Sequence, residues 1–218
     1  LYIAFQANDS SHALFVTSTE DGTNFTTPAV GYGGIAIGSA PAMAAFNGRL
    51  YVAFQANDSS HRLFVTSSAD GTNFTTPAVG YGGIQIGSAP AMAQFNGRLY
   101  VVFQANDSSH ALFVTSSPDG TNFTTPAVGY GGIQIGSAPT VAQFNGRLYV
   151  AFQANDSSQT LSVTSSADGT NWTTPAANYT GLQIGSAPAL GTFQNYAYVV
   201  FQANDSGHEL CVSATGGR

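Results

Sequence analysis

The chain repeats itself every 49 residues. The octapeptide FQANDSSH stands at Phe5–His12, Phe54–His61 and Phe103–His110, and near copies begin at Phe152 (FQANDSSQ) and Phe201 (FQANDSGH). Four periods plus 22 residues account for all 218, giving units 1–49, 50–98, 99–147 and 148–196 and a partial unit 197–218, read together as one domain, 1–218. The second and third units differ at only five positions, whereas the fourth and fifth have drifted further. A period of this length restricts the chain to stacked or radial repeats, with propellers and solenoids the main candidates.

Local pattern separates the two. Apolar residues show no 3.6-residue stripe, charged helix formers are scarce, and Gly and Pro recur, so helices are not expected. In the third unit Pro90–Phe95 reads as a strand leading into Asn96-Gly97, a dipeptide suited to the positive φ angles of a tight hairpin. Arg98–Ala105 is a second strand, Asn106–Ser109 a turn, and Ala111–Ser117 a third strand. Pro118–Asn122 turns into Phe123–Pro126, read as a short fourth strand that Pro126 ends. Four short antiparallel strands per unit, none able to bury both faces alone, describe a propeller blade. The expected class is therefore all-β: a β-propeller of 49-residue blades, five in number. The first and last are incomplete, because the chain opens on a second strand (Leu1–Ala7) and closes on a third (His208–Ser213). Either the ends pair to close the ring or open edges recruit a second chain, so both monomer and dimer stand as expectations.

Composition narrows the partners. Only 7% of residues are charged, no lysine is present, and the net charge is −6. Nucleic acid and anionic membranes both select basic surfaces, so neither is expected. No apolar run approaches the length of a membrane span. The single Cys211 excludes an internal disulfide framework and, replacing a repeat Phe or Ser, is expected to be buried and inert. The ten Asn-x-Ser/Thr sequons are taken as by-products of repetition in a secreted, bacterial protein.

Four turns, STEDGTNF (Ser18–Phe25), SSADGTNF (Ser67–Phe74), SSPDGTNF (Ser116–Phe123) and SSADGTNW (Ser165–Trp172), share Ser/Thr-x-Asp-Gly-x-x-Phe/Trp. This pattern resembles the Asp box of sialidase-type and related propellers. The whole chain is similar to the repetitive propeller lectins and to secreted bacterial repeat proteins with such blades. The side chains of Asp21, Asp70, Asp119 and Asp168 are suited to accepting N–H groups of their own turn, a structural role. One carboxylate per turn makes a poor calcium site, and no metal or cofactor is expected.

The sialidase resemblance implies three convergent arginines, a Tyr–Glu nucleophile pair and an Asp acid/base. Here Arg49, Arg98 and Arg147 are copies of one turn position, and Arg62 and Arg218 complete the set. Glu20 sits in a turn and Glu209 on an edge strand, while every aspartate occupies one of two repeat positions. Glycoside hydrolysis needs two carboxyl groups in different environments, and no unique pair is evident, so the chain is expected not to be an enzyme. Repetition suits multivalent binding instead. Strand direction places the Asn-Asp-Ser turns at one end of the ring, beside Ala78–Ser88 and its equivalents, read as the longest loops. A multivalent lectin is expected, binding neutral glycans through inter-blade pockets. Their residues are Asn8, Asp9, His12 and Tyr32; Asn57, Asp58, His61 and Tyr81; Asn106, Asp107, His110 and Tyr130; Asn155, Asp156 and Tyr179; and Asn204, Asp205 and His208. Amides and carboxylates would bind paired hydroxyls, and tyrosines the sugar's C–H face. Gln55 and its equivalents are expected to be satisfied polar groups of the core. A protein-adhesive repeat module and a sialidase-like hydrolase fragment are the alternatives.

Overall fold

A computed structural model describes residues 1–216 apart from Pro28, Pro77, Pro126 and Pro175. It is a five-bladed β-propeller with 18 strands and, among the described residues, no helix. The first blade has three strands, β1 (Tyr2–Gln6), β2 (Ala13–Ser18) and β3 (Val30–Ala36). Three complete blades follow: β4–β7 (Ala42–Phe46, Arg49–Gln55, Arg62–Ser68, Val79–Gln85), β8–β11 (Ala91–Phe95, Arg98–Gln104, Ala111–Ser117, Val128–Gln134) and β12–β15 (Thr140–Phe144, Arg147–Gln153, Thr160–Ser166, Ala177–Gln183). The fifth blade is β16 (Ala189–Phe193), β17 (Tyr196–Gln202) and β18 (Leu210–Gly216). Each blade is an antiparallel meander, and the inner strands β4, β8, β12 and β16 pack side by side.

The hydrophobic core lies between blades. Tyr51, Leu63, Val65, Ile84 and Ile86 of the second blade pack on Met92, Leu99, Val101, Phe103 and Phe123 of the third. The third meets the fourth in the same way, through Tyr100, Leu112, Val114 and Ile133 against Leu148, Val150, Phe152 and Trp172. Alternate residues of LYVVF thus face opposite neighbours, which is why the run is continuously apolar. Burying each of these side chains contributes about 1.5–3 kcal/mol.

The turns follow the expected chemistry. Asn96 and Gly97 both take positive φ, 46° and 69°, closing the β8–β9 hairpin. In the second Asp-Gly turn, Thr72 N and Asn73 N donate to Asp70 Oδ1 at 2.9 and 2.8 Å, and Asn73 Nδ2 donates to Oδ2 at 2.7 Å. Ser68 Oγ donates to the same carboxylate and accepts from Gly71 N. These bonds hold the carboxyl groups of Asp21, Asp70, Asp119 and Asp168 well below the usual range.

The fourth strand differs from the expectation. Phe123–Thr125 forms no strand, and Pro126 lies outside the described residues. The fourth strands are β3, β7, β11 and β15, within the glycine-rich stretches read as long loops. A bulge hides them from an alternation test. Arg62 opposes Gln85 while Leu63 opposes Tyr81, so Gly82–Ile84 bow out and drop Ile84 into the core. Gly80 is required because the Phe64 ring presses on it: a Cβ there would stand 2.6 Å from the ring.

Candidate functional site

The Asn-Asp turns link second and third strands. Ser60 N and Ser60 Oγ both donate to Asp58 Oδ1, at 2.8 and 2.5 Å, and the other early copies repeat this. These bonds lower the carboxyl pKa of Asp9, Asp58, Asp107 and Asp156, with smaller help from nearby cationic groups at the first three. His12, His61, His110, Gln159 and His208 end the turn in the left-handed region, with φ of 48–50°. The carbonyls of the first four accept from the N–H of Ile37, Ile86, Ile135 and Ile184, which tie each turn to the outer strand of its own blade. Gln6, Gln55, Gln104 and Gln153 complete the lock by donating Nε2 to the carbonyls of those same isoleucines. They are half-buried or buried, with their amides satisfied.

The sequence-predicted residues divide into two groups in space. Asn57 and Asp58 face Gly34–Ala36 of the preceding blade across a cavity of about 190 Å³. Asn155 and Asp156 do the same against Gly132–Gln134, at about 160 Å³. Asn204 and Asp205 line a cavity of about 550 Å³ with Thr180–Gln183, Cys211 and Ser213. The tyrosines stand elsewhere, on the outer strands. The hydroxyls of Tyr32, Tyr81 and Tyr130 donate to the carbonyls of Thr72, Thr121 and Thr170 in the next blade's Asp-Gly turn. Their rings meet Phe74, Phe123 and Trp172 edge-on. Burial pushes the Tyr81 phenol up to about 12. Tyr179 is exposed. Arg49, Arg98 and Arg147 each donate to a serine of their own blade, Ser67, Ser116 and Ser165. Cys211 is half-buried rather than buried.

The fifth turn carries what the sequence reading missed. In the other four copies a serine hydroxyl donates to the turn aspartate; here that residue is Gly207. Asp205 Oδ1 accepts instead from Gly207 N and His208 N, at 2.9 and 3.1 Å. Glu209 lies in the loop before β18, not on an edge strand, and turns back over the glycine. Asp205 Oδ1 and Glu209 Cδ stand 3.3 and 3.9 Å from the place a Gly207 Cβ would take. Two carboxylates therefore belong to one turn, and Asp205 lines the 550 Å³ cavity. Asn204 is held there by Gln159 Oε1 at 2.7 Å, so the His-to-Gln change of the fourth copy orients the fifth. The signal was in the sequence: NDSGHE is the only copy of the turn with a second acid.

No protein-family model matches the sequence, and no curated protein matches it. Solved structures do match, at the level of fold. An α-L-arabinofuranosidase from Clostridium thermocellum aligns with 92% of this chain and 78% of its own, at 14% identity and a TM-score of 0.60. A GH43 β-xylosidase/α-arabinofuranosidase from a compost microbial metagenome, solved with xylotriose, covers 81% of this chain and 73% of its own, at 14% identity and 0.54. A protein of unknown function from Dyadobacter fermentans covers 94% and 68%, at 12% identity and 0.67. The shared fold is the β-propeller. These neighbours correct two expectations. The arabinofuranosidase and xylosidase neighbours named above are glycoside hydrolases, which overturns the reading as a multivalent lectin and the reading as a non-enzyme. The argument against catalysis rested on the lack of a unique acidic pair, and Asp205 with Glu209 removes that ground.

Proposed function

We propose that the chain is a glycoside hydrolase acting on pentose-containing glycans, with Asp205 and Glu209 as its two carboxyl groups. The observation that carries the reading is the second carboxylate beside the fifth Asn-Asp turn, on a fold shared with an arabinofuranosidase and a xylosidase. Glycosidic cleavage uses one carboxyl group to protonate the leaving oxygen and another to activate the attacking water or to attack directly. Glu209 delivers the proton as the anomeric C–O bond breaks, and Asp205, fixed by two backbone N–H groups, takes one from water. Asn204 holds a sugar hydroxyl. The cavity at the fifth turn, about 550 Å³, is wider than the 190 and 160 Å³ cavities at the second and fourth turns. The fifth turn, the copy that adds a second acid, is the working site, and the other Asn-Asp turns serve the fold. On this reading the Asp-Gly turns make the blades Asp-box blades, and the enzyme works outside the cell, where polymeric glycans are met.

The test is release of nitrophenolate from 4-nitrophenyl α-L-arabinofuranoside and β-D-xylopyranoside by the purified chain. Asp205→Asn and Glu209→Gln are each expected to lower kcat/KM about 10²–10⁴-fold with the fold unchanged by circular dichroism. No release above the blank, or full activity in both variants, overturns the proposal.

A further inference from the structure

Three blades set a phenylalanine of the third strand opposite a glycine of the outer strand: Phe15 opposes Gly31, Phe64 opposes Gly80 and Phe113 opposes Gly129. Each ring stacks on a phenylalanine of the second strand, Phe5, Phe54 or Phe103. The ring and the glycine depend on one another, because a Cβ on Gly31, Gly80 or Gly129 meets the ring. The fourth blade changes both members together. Ser162 stands in place of the ring and Asn178 in place of the glycine, still opposite one another. Ser162 is 1% exposed and donates its hydroxyl to Asn178 Oδ1 at 2.6 Å. An apolar ring has given way to a hydrogen-bonded polar pair.

The exchange alters the cavity beside it. At the second turn the cavity of about 190 Å³ is walled by Phe64 and Ala36, and only Asn57 and Asp58 are polar. At the fourth turn, in the cavity of about 160 Å³, Ser162 and Gln134 take those two places and Asn178 joins them. Asn178 Oδ1 is occupied by Ser162, so its Nδ2 is left to donate to a ligand. Asp156 Oδ1 accepts from Ser158 N and Oγ and holds the turn, as its equivalents do. The groups that set this cavity apart stand on strands, Gln134 on β11, Ser162 on β14 and Asn178 on β15. Its walls carry amide donors and acceptors and no cationic side chain, which suits the hydroxyls of a neutral sugar and not an anion.

Strand β15 separates this cavity from the one at the fifth turn. Asn178 lines the first and Thr180–Gln183 the second, so about 7 Å of strand lies between Asn178 and Thr180. The two turns also touch, through Gln159 Oε1 and Asn204 Nδ2 at 2.7 Å. We infer that the fourth-blade cavity is a second sugar subsite, where Asn178 and Gln134 bind hydroxyls of a unit near the one cleaved at Asp205 and Glu209. The substrate is then an oligomeric pentose glycan rather than a single glycoside. The place of the subsite along the substrate rests on the catalytic reading above; the subsite itself rests on the Ser162–Asn178 pair.

The test is calorimetric titration of xylotriose into the Asp205→Asn chain, chosen so that the ligand stays intact, and into the same chain carrying Ser162→Phe with Asn178→Gly. The double change restores the pair found in the other three blades, so the fold is expected to hold, with the urea midpoint as the check. The Asp205→Asn chain is expected to bind with a Kd in the millimolar range or tighter, and the double change to weaken binding about tenfold or more. Asn178→Asp keeps the bond from Ser162 and removes only the donor; it is expected to weaken binding about threefold to tenfold. No binding at about 20 mM xylotriose, or equal affinity in both variants, overturns the inference. Absence of nitrophenolate release would remove the catalytic assignment alone, because the calorimetric comparison reads binding and not chemistry.

Discussion

The third and fifth blades are written from the same repeat and differ in what surrounds them. In β10, Leu112 and Val114 lie beneath the outer strand β11 and against the fourth blade, fully buried. In β18 the equivalent Leu210 and Val212 are covered by no outer strand among the described residues and are exposed. The two segments share this Leu and Val while their neighbours differ, and both become strands in the same register with their second strands. What changes is the area removed from water, and with it the stabilisation. A propeller blade is stable through its neighbours, and the repeat makes the comparison internal to one molecule.

The largest effect should come from the core leucines. Leu112→Ala is expected to cost about 2–5 kcal/mol, and Leu210→Ala less than about 0.5 kcal/mol, because only the first leaves a cavity. Urea titration followed by tryptophan fluorescence measures both, since Trp172 is the single tryptophan and belongs to the same core cluster as Leu112. Equal costs at the two positions would break the comparison.

Much of this was legible in the residues. The period, the positive-φ Asn-Gly hairpin and the Asp-Gly turn follow from local chemistry, and the incomplete first and last blades from counting strands. The fourth strand was not legible. Gly80 and Gly87 read as loop residues, yet each is a glycine because a neighbour leaves no room for a Cβ: the Phe64 ring at one, the Ala105 carbonyl oxygen at 2.4 Å at the other. Close approach and looseness have the same spelling. The tyrosines were misplaced for that reason: read as loop residues, they stand on strands, and Tyr32, Tyr81 and Tyr130 are seam contacts. The carboxylate pair escaped because Glu209 was counted as part of a strand, and only the three-dimensional turn shows it folding over Gly207.

The turn glycines give a middle-sized effect. Gly22 and Gly120 occupy the same position with φ of 80° and 78°. A Cβ on Gly22 meets nothing within 4 Å, while one on Gly120 stands 2.3 Å from the Tyr51 ring of the preceding blade. Gly22→Ala carries only the left-handed backbone penalty, about 1 kcal/mol, and Gly120→Ala adds the displacement of a buried ring, for roughly 2–3 kcal/mol in all. The difference between the two variants in urea midpoint isolates the blade-to-blade contact. If Gly22→Ala were as costly as Gly120→Ala, the first turn would have a neighbour like the others.

The smallest effect is at the outer tyrosines. Tyr81 donates its hydroxyl to Thr121 O at 2.5 Å, and its ring meets Phe123 edge-on at 5.2 Å. Tyr179 holds the same strand position in the fourth blade and is exposed. Removing one hydroxyl by Tyr81→Phe is expected to cost about 1 kcal/mol, and Tyr179→Phe close to nothing. The pH dependence gives the sign independently. Burial raises the Tyr81 phenol to about 12, so the folded chain keeps this proton after the unfolded chain, with a phenol near 10, has lost it. Between about pH 10 and 12 the folded state binds more protons, and stability must fall as pH rises through that window. Tyr81→Phe removes that contribution and should flatten the decline relative to the parent chain, while Tyr179→Phe leaves it in place. Parallel curves for the parent and Tyr81→Phe would mean that the seam between the second and third blades is as open as the surroundings of Tyr179.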